Sequence, residues 1–215
     1  MLSADELFSV VDAAFAVTAR GLARWRDPHP DRQPLEEEYS RLTNPDRWRI
    51  IGARADAWLQ ALVETGLANV ELGTSVLWKA PPGPILTLTD RVVPIATGAI
   101  PLIVARSRLG SVEDAGVTLG AGNPAVAVGW IPDCGCDACD SGSQEVLDEL
   151  DKYLLSVVSG DFRRLSSSGR EITVTGEGRW GASGNFSRDE VDSILDDPAG
   201  WDELSGTSWL GDARI

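Results

Sequence analysis

All three cysteines of the chain lie in one short segment, Pro132–Ser143. Cys134 and Cys136 are separated by one residue, and Cys136 and Cys139 form a Cys-x-x-Cys pair. Both spacings allow thiolates to reach one ion, because a tight turn at Gly135 would bring the sulfurs to the same side. This segment, called the cysteine loop below, therefore predicts a metal or redox site.

Zinc is the metal that we expect the cysteine loop to hold. It takes four tetrahedral ligands, with each sulfur at ~2.3 Å, so three cysteines leave one position to fill. That position is open to a water, a second chain or one of four side chains: His29, Asp133, Asp137 and Asp140. The acidic neighbours would raise the pKa values of metal-free thiols, and the start of the following helix would favour thiolates.

Two other interpretations of the cysteine loop stay open. Cys136 and Cys139 match the spacing of a redox pair, although thioredoxin-like chains place that pair at a helix start within a strand-helix-strand pattern. The loop also fits a reduced, tightly turned segment that packs small thiols without metal. An iron–sulfur cluster would need four cysteines, and the chain has three.

The remaining residues favour no particular catalytic site. His29, the only histidine, lies between two prolines and is predicted to be an exposed loop residue, which makes a Ser-His-Asp or Cys-His arrangement difficult to assemble. The four glycines of Gly176–Gly184 lack the lysine and the helix start of a phosphate-binding loop and are better explained as a strand-turn segment. Whether the protein is an enzyme stays open.

The formal net charge of −14 limits the classes of partner. Nucleic acid and anionic membrane surfaces would be repelled by most of the molecule, so we expect an unknown protein or small-molecule partner, including a basic protein bound by the acidic surface. The longest apolar runs are too short to span a bilayer. The start of the sequence lacks the basic and apolar regions of a secretory signal, so we expect a soluble cytoplasmic protein with reduced thiols.

Three helices are predicted from apolar spacing and end signals. The first covers residues 3–25 and begins with a capping box of Ser3 and Glu6. The second covers residues 45–65, with Asn44 as cap and Gly66 as stop. The third follows the cysteine loop at about residues 143–158 and presents one apolar and one acidic face.

The middle of the chain predicts a mainly antiparallel sheet of about five to six short strands. The candidate strands are residues 70–72, 75–79, 85–89, 92–95, 102–105, 117–119 and 125–130. Their short connections argue against repeated strand-helix-strand units. We expect a single α+β domain over residues 1–215, in which the N-terminal helical pair and the helix after the cysteine loop cover the same sheet, and residues 27–43 and 80–84 are connecting loops.

The C-terminal part predicts a strand at residues 171–175 and a short helix opened by a second capping box, Ser187 with Glu190. The tail carries several large apolar side chains, so we expect it to dock on the body of the protein. These are Trp201, Leu204, Trp209 and Leu210.

The runs Trp130–Ser143 and Gly200–Leu210 resemble the DUF6226-like family of actinobacterial proteins of unknown function. The resemblance covers essentially the whole chain and implies a bacterial cytoplasmic protein without established active residues. The sequence thus predicts a non-catalytic binding or regulatory domain whose Cys134, Cys136 and Cys139 hold a structural zinc. The alternative is a thiol-dependent redox enzyme that uses Cys136 and Cys139.

Overall fold

The computed structural model describes residues 2–176 and 178–211. The predicted domain limits at residues 1 and 212–215, and Glu177 of the predicted strand-turn segment, lie outside the described residues. The α-helices are α1 (Ala4–Thr18), α2 (Arg49–Glu64), α3 (Ser143–Val158) and α4 (Arg188–Asp196). The strands are β1 (Ala68–Glu71), β2 (Leu86–Pro94), β3 (Leu102–Leu109), β4 (Val112–Ala121), β5 (Val126–Ile131), β6 (Phe162–Ser167), β7 (Arg170–Thr175), β8 (Trp180–Ser183) and β9 (Asp202–Ser205).

Helix α1 begins as predicted and ends earlier than predicted. Ser3 Oγ accepts a hydrogen bond from the Glu6 amide at 3.2 Å, and the Ser3 amide donates to the Glu6 carboxylate at 2.7 Å. The predicted end at residue 25 is wrong, because α1 stops at Thr18. Further along, the Trp25 amide donates to Ser143 Oγ at 3.1 Å, which holds this part of the chain at the start of α3.

The predicted helix 45–65 is divided into a 3₁₀ turn, Pro45–Trp48, and α2. Asn44 does not cap it, because its backbone is left-handed with φ 49° and its side chain makes no capping hydrogen bond. Gly66 follows the helix end with φ +71°, as a stop residue should. Helix α2 packs on the sheet, and α1 packs against α2.

Strands β1 to β5 form an antiparallel sheet in sequence order, which confirms the α+β prediction. The two candidate strands 85–89 and 92–95 are parts of one strand, β2, that ends at Pro94. The candidate strand 75–79 is wrong. Its contact with the sheet is a bridge between Trp78 and Ala125, and the Trp78 ring covers Gly120, where a Cβ atom would lie 2.7 Å from the ring.

Four strands form a second antiparallel sheet, in the order β8-β7-β6-β9. Of these, the sequence predicted β7 as a strand. A small core of Leu165, Ile172 and Val191 joins this sheet to α4. Ser187 Oγ caps α4 at 3.2 Å from the Glu190 amide. The predicted reciprocal bond is replaced, because the Glu190 carboxylate accepts from Arg170 at 2.7 Å.

Helix α3 has the predicted limits and covers β4 and β5. Its apolar face is buried in the main core together with Trp58 of α2 and Phe162 of β6. The tail docks as predicted: Trp209 is buried in the same core, and its amide donates to the Val158 carbonyl at 2.8 Å. Within the described ranges, no helix is long and apolar enough to cross a membrane.

Candidate metal site in the cysteine loop

The cysteine loop connects the end of β5 to the start of α3. A short 3₁₀ turn, Asp137–Cys139, forms its centre, and the Cys139 amide donates to the Cys136 carbonyl at 3.1 Å. The turn reverses the chain over a few residues. Cys139, the last residue of the turn, therefore approaches Cys134 and Cys136, which precede it.

The three sulfur atoms lie within 4.8 Å of one another. Cys134 Sγ and Cys136 Sγ are 3.3 Å apart, and the three cysteines are free thiols. Sulfurs that share one tetrahedral zinc at ~2.3 Å lie about 3.8 Å apart, so small adjustments would bring all three to one ion. The cluster could hold a metal ion.

Two of the three thiols are open to solvent. Cys134 and Cys139 are exposed, and Cys136 is half-buried. A side of the cluster therefore faces water, where an ion could enter without opening the fold. Water could also fill a fourth ligand position there.

The thiols influence each other's acidity. Burial would raise the pKa of Cys136, but hydrogen bonds from the Cys134 and Cys139 thiols and from the amides of the turn outweigh burial and lower it. The hydrogen bond with Cys136, together with burial, raises the pKa of Cys139 to about 12. The sequence predicts that the start of α3 favours the thiolates. In the structure, amides of the loop itself lower the pKa of Cys136 instead.

Asp137 holds the loop to residues 41–43. Its carboxylate accepts hydrogen bonds from the Thr43 amide at 2.7 Å, from Thr43 Oγ1 at 2.6 Å and from Arg41 Nε at 2.6 Å. Burial would raise the pKa of Asp137, but the bonds from Thr43 and Arg41 outweigh it and lower the pKa. This side chain is occupied by its own chain and is a poor candidate for a metal ligand.

Asp140 makes a second anchor, at the end of the turn. Its buried carboxylate accepts hydrogen bonds from Trp25 Nε1 at 2.8 Å and from the Gly142 amide at 2.9 Å. Arg47 forms an ion pair with this carboxylate at 2.6 Å, and the Arg47 guanidinium lies 5.1 Å from the centre of the Trp25 ring. Asp140 is therefore also occupied, and it holds the loop in place instead of offering the expected fourth zinc ligand.

The other two candidate ligands differ in their surroundings. His29 is not the exposed residue that its prolines predict: its side chain is 7% exposed, and Nε2 lies 3.3 Å from the Glu38 carboxylate. Glu38 also binds Arg32 with both carboxylate oxygens, at 2.7 and 2.8 Å. Asp133 is exposed and accepts one hydrogen bond, from Trp130 Nε1 at 2.9 Å.

No described Asp, Glu or His joins the three sulfurs within the 4.8 Å that they share. Among the side chains predicted for the fourth position, Asp133 is exposed and accepts a single described hydrogen bond. A water at the exposed side needs no movement of the chain. The structure therefore brings together Cys134, Cys136 and Cys139, and none of the four side chains predicted for the fourth position joins them.

Two glycines are required by the packing of the loop. A Cβ atom on Gly135 would lie 2.4 Å from Leu109 Cδ1. Gly142, which precedes α3, has φ +86°, and its Cβ would lie 2.5 Å from the Asp27 amide nitrogen. The backbone at Gly135, where a turn was predicted, thus lies close to Leu109. Gly142 packs the end of the loop against the segment that follows α1.

Sequence reasoning missed the partners of the loop. Arg41, Thr43 and Arg47 belong to a stretch that the sequence predicts to be a polar connection and a helix start. The available signal was their charge: arginines precede α2, and acidic residues alternate with the cysteines. Which of these residues pair with the carboxylates of the loop depends on their distances in the folded protein, because about a hundred residues separate the two groups along the chain.

Residues 11–209 match the sequence profile of a family of unknown function (DUF6226). A search of curated proteins and a search of solved structures found no match. Because the profile covers most of its length, the chain belongs to this family.

Proposed function

We propose that this protein is a non-catalytic binding or regulatory domain whose cysteine loop holds one structural zinc ion through Cys134, Cys136 and Cys139. The observation that carries the proposal is the clustering of three sulfurs within 4.8 Å on a turn that Asp137 and Asp140 hold in place. Thiolate sulfur is a preferred zinc ligand.

The ion would fasten the loop from its solvent side. Asp137 and Asp140 already bind the turn to residues 25–47 from the inner side. Zinc needs deprotonated thiols, so binding would release protons and add its free energy to the folded state. The metal would then stabilise the junction between β5 and α3, which supports a structural role for it.

Metal analysis combined with thiol titration tests the proposal. Protein purified without added metal or chelator should contain about one zinc per chain, and its thiols should react slowly until a chelator is added. Ser141→Ala is the matched control, because it changes the same loop without removing a sulfur and should keep the zinc. Zinc-free protein with three freely titrating thiols would reject the proposal.

Cysteine variants locate the ion. Cys134→Ser, Cys136→Ser and Cys139→Ser should each lower the zinc content when the protein is dialysed against a weak chelator, because each removes one of three sulfur ligands. Zinc retention at the wild-type level by all three variants would place the ion elsewhere and contradict the assignment.

A thiol-dependent redox enzyme is the second candidate, favoured by the lowered pKa of Cys136 beside the exposed Cys139. The Cys136 thiolate would attack a disulfide substrate, releasing one substrate thiolate. Cys139 would then give its proton to the released thiolate and attack the Cys136 sulfur of the mixed disulfide, which displaces the second substrate thiolate and leaves a Cys136–Cys139 disulfide and a reduced substrate. Fast alkylation of Cys136 at neutral pH would support this candidate, and slow alkylation of all three cysteines would exclude it.

The net charge of −14 supports an unknown protein or small-molecule partner over nucleic acid or an anionic membrane surface. A reducing compartment such as the cytoplasm would keep the three thiols available for zinc. Expression with a fluorescent tag, followed by cell fractionation, tests the compartment. Recovery with the membrane fraction or outside the cell would contradict it.

A further inference from the structure

A groove lies on the opposite part of the sheet from the cysteine loop, between α2 and the edge formed by β1 and β2. Its volume is about 630 Å³, which is within the range of small-molecule sites. One wall is apolar and consists of Leu59, Val63, Val70 and Leu72. Leu59 is buried, but Val63 and Leu72 are 49% and 76% exposed, so the outer part of this wall is not covered by the described part of the chain.

Asp90 lines the groove from β2 and is 3% exposed. Its Oδ1 accepts a hydrogen bond from the Gly73 amide at 2.9 Å. Its Oδ2 accepts none from residues 2–176 and 178–211, and neither Lys nor Arg of those residues forms an ion pair with it. Asp90 therefore brings to the groove a carboxylate oxygen without a hydrogen-bond partner among the described residues.

A buried carboxylate without a counter-ion is costly unless something compensates its charge. The described lining of the groove includes no Lys or Arg, and its two other carboxylates are Asp56 and Glu64. Asp56 is paired with Arg106, which belongs to the adjoining cleft. Asp90 also lines that cleft, together with Arg20, Arg49 and Arg106, but no described arginine forms an ion pair with it. The groove therefore combines an unpaired carboxylate with an apolar wall.

We propose that this groove binds a small organic cation: a primary ammonium group, held by Asp90 Oδ2, on an alkyl chain that lies along Leu72 and Val63. Charge complementarity selects the cation, because an anion would meet the carboxylates and a neutral group would leave Asp90 uncompensated. The exposed apolar wall selects the alkyl chain, because covering it removes apolar surface from water.

Three probes of equal length test the proposal: hexylammonium, hexan-1-ol and hexanoate. Each is titrated into the full chain while amide shifts are followed by ¹H–¹⁵N NMR. We expect saturable shifts with hexylammonium, largest at Gly73, whose amide donates to Asp90. Hexan-1-ol should bind at least about tenfold more weakly, because it lacks the charge-assisted hydrogen bond, and hexanoate should not bind.

Asp90→Asn should weaken hexylammonium binding by about tenfold, because the amide oxygen can still accept from Gly73 while the charge is lost. The control is Asp114→Asn, an exposed carboxylate in the adjoining cleft that does not line this groove. Asn tolerates the left-handed backbone of Asp114, which has φ +59°. This control should bind hexylammonium as the wild type does.

A second variant keeps the test valid if Asp90→Asn does not fold. Leu72→Ser changes an exposed side chain and should reduce the advantage of hexylammonium over butylammonium, because the longer chain loses its apolar contact. Equal binding of hexan-1-ol and hexylammonium, or unchanged binding by both variants, would overturn the proposal. A capped Leu-Lys-Leu peptide that binds more tightly than hexylammonium would overturn the assignment to a small molecule.

Discussion

At the scale of residues, the acidic groups of the cysteine loop have two different roles. Asp137 and Asp140 are buried and receive hydrogen bonds from residues 25–47, whereas Asp133 is exposed and receives one bond from Trp130. The first two hold the turn that carries the thiols. The third lies where solvent reaches the cluster.

Replacing Asp140 should destabilise the protein more than replacing Asp133. Asp140→Ala removes the shorter ion pair of Arg47, which is 20% exposed, leaves it only Asp137 at 4.0 Å, and leaves Trp25 Nε1 without an acceptor. We expect the free energy of unfolding to fall by about 2–4 kcal/mol. Urea denaturation measures it, and Asp133→Asn is the control, expected to change it by less than about 1 kcal/mol. Equal effects of the two substitutions would contradict the anchoring role of Asp140.

Glu38 makes stability depend on pH. Its hydrogen bonds with Arg32 and with the Leu35 amide hold the pKa of Glu38 well below its usual value of 4.5, with a further contact from His29. A carboxyl whose pKa is lowered by folding stabilises the folded state above its unfolded pKa, and this stabilisation is lost as the pH falls towards the folded pKa.

Glu38→Gln should therefore lower the Tm at pH 7 and pH 5 by the same amount, and the difference from wild type should shrink as the pH falls below about 4.5. Thermal unfolding followed by circular dichroism between pH 3 and pH 7 measures this. Glu37→Gln, at an exposed neighbouring position, should show no such trend. A difference that grows on acidification would mean that the sign of the linkage is wrong.

At the scale of elements, the sequence predicted the helices and strands whose apolar residues follow the face that is buried in the structure. Helix α3 was predicted at its limits because its apolar face is continuous and Gly160 follows it. Strand β6 was missed because arginines at positions 163 and 164 interrupt its apolar pattern. In the structure they pair with Glu203 and Glu171 on the neighbouring strands.

In the candidate site as well, only the part with a local sequence signal could be predicted. The three thiols could be predicted because their chemistry and spacing are local. Their anchors could not, because Arg47 and Asp140 lie far apart along the chain and meet only in the folded structure. Residues 75–79 were wrongly predicted as a strand because their alternating apolar side chains suggest one buried face. In the structure one of these side chains, Leu77, is 67% exposed.

The junction between the loop and α3 depends on Gly142. Gly142→Ala must adopt φ +86° and bring a Cβ atom to 2.5 Å from the Asp27 amide nitrogen. Gly169→Ala is a matched control, since Gly169 has φ +79° and nothing lies within 4 Å of its Cβ position.

We expect the control to lower the free energy of unfolding by about 1–2 kcal/mol, the cost of the left-handed backbone alone. Gly142→Ala should lower it by about 1–3 kcal/mol more, because the backbone of residues 26–27 must move. Urea unfolding of both variants gives the comparison. Equal losses would show that the close approach at Gly142 is not important for stability.

At the scale of the whole molecule, the main core connects the two sheets. Trp209, which follows β9, and Phe162, in β6, are buried in the core that α2, α3 and the five-stranded sheet share. We propose from these contacts that both sheets unfold as one domain. Circular dichroism and tryptophan fluorescence should then give coincident unfolding curves.

Trp209→Ala tests how much the docked tail contributes. Trp209 is 3% exposed, so removing its ring should lower the free energy of unfolding by about 3–5 kcal/mol. Trp130→Ala, at a position that is 37% exposed, should cost less than about 1.5 kcal/mol. A small effect at Trp209, or a separate transition for the second sheet, would contradict a single domain.

The central claim is that Cys134, Cys136 and Cys139 bind one zinc ion. Zinc K-edge X-ray absorption on protein loaded with one equivalent of zinc tests it most directly, because it counts the sulfur neighbours of the ion. We predict about three sulfurs at ~2.3 Å and one oxygen or nitrogen at ~2.0–2.1 Å. A first shell made only of oxygen and nitrogen would contradict the assignment.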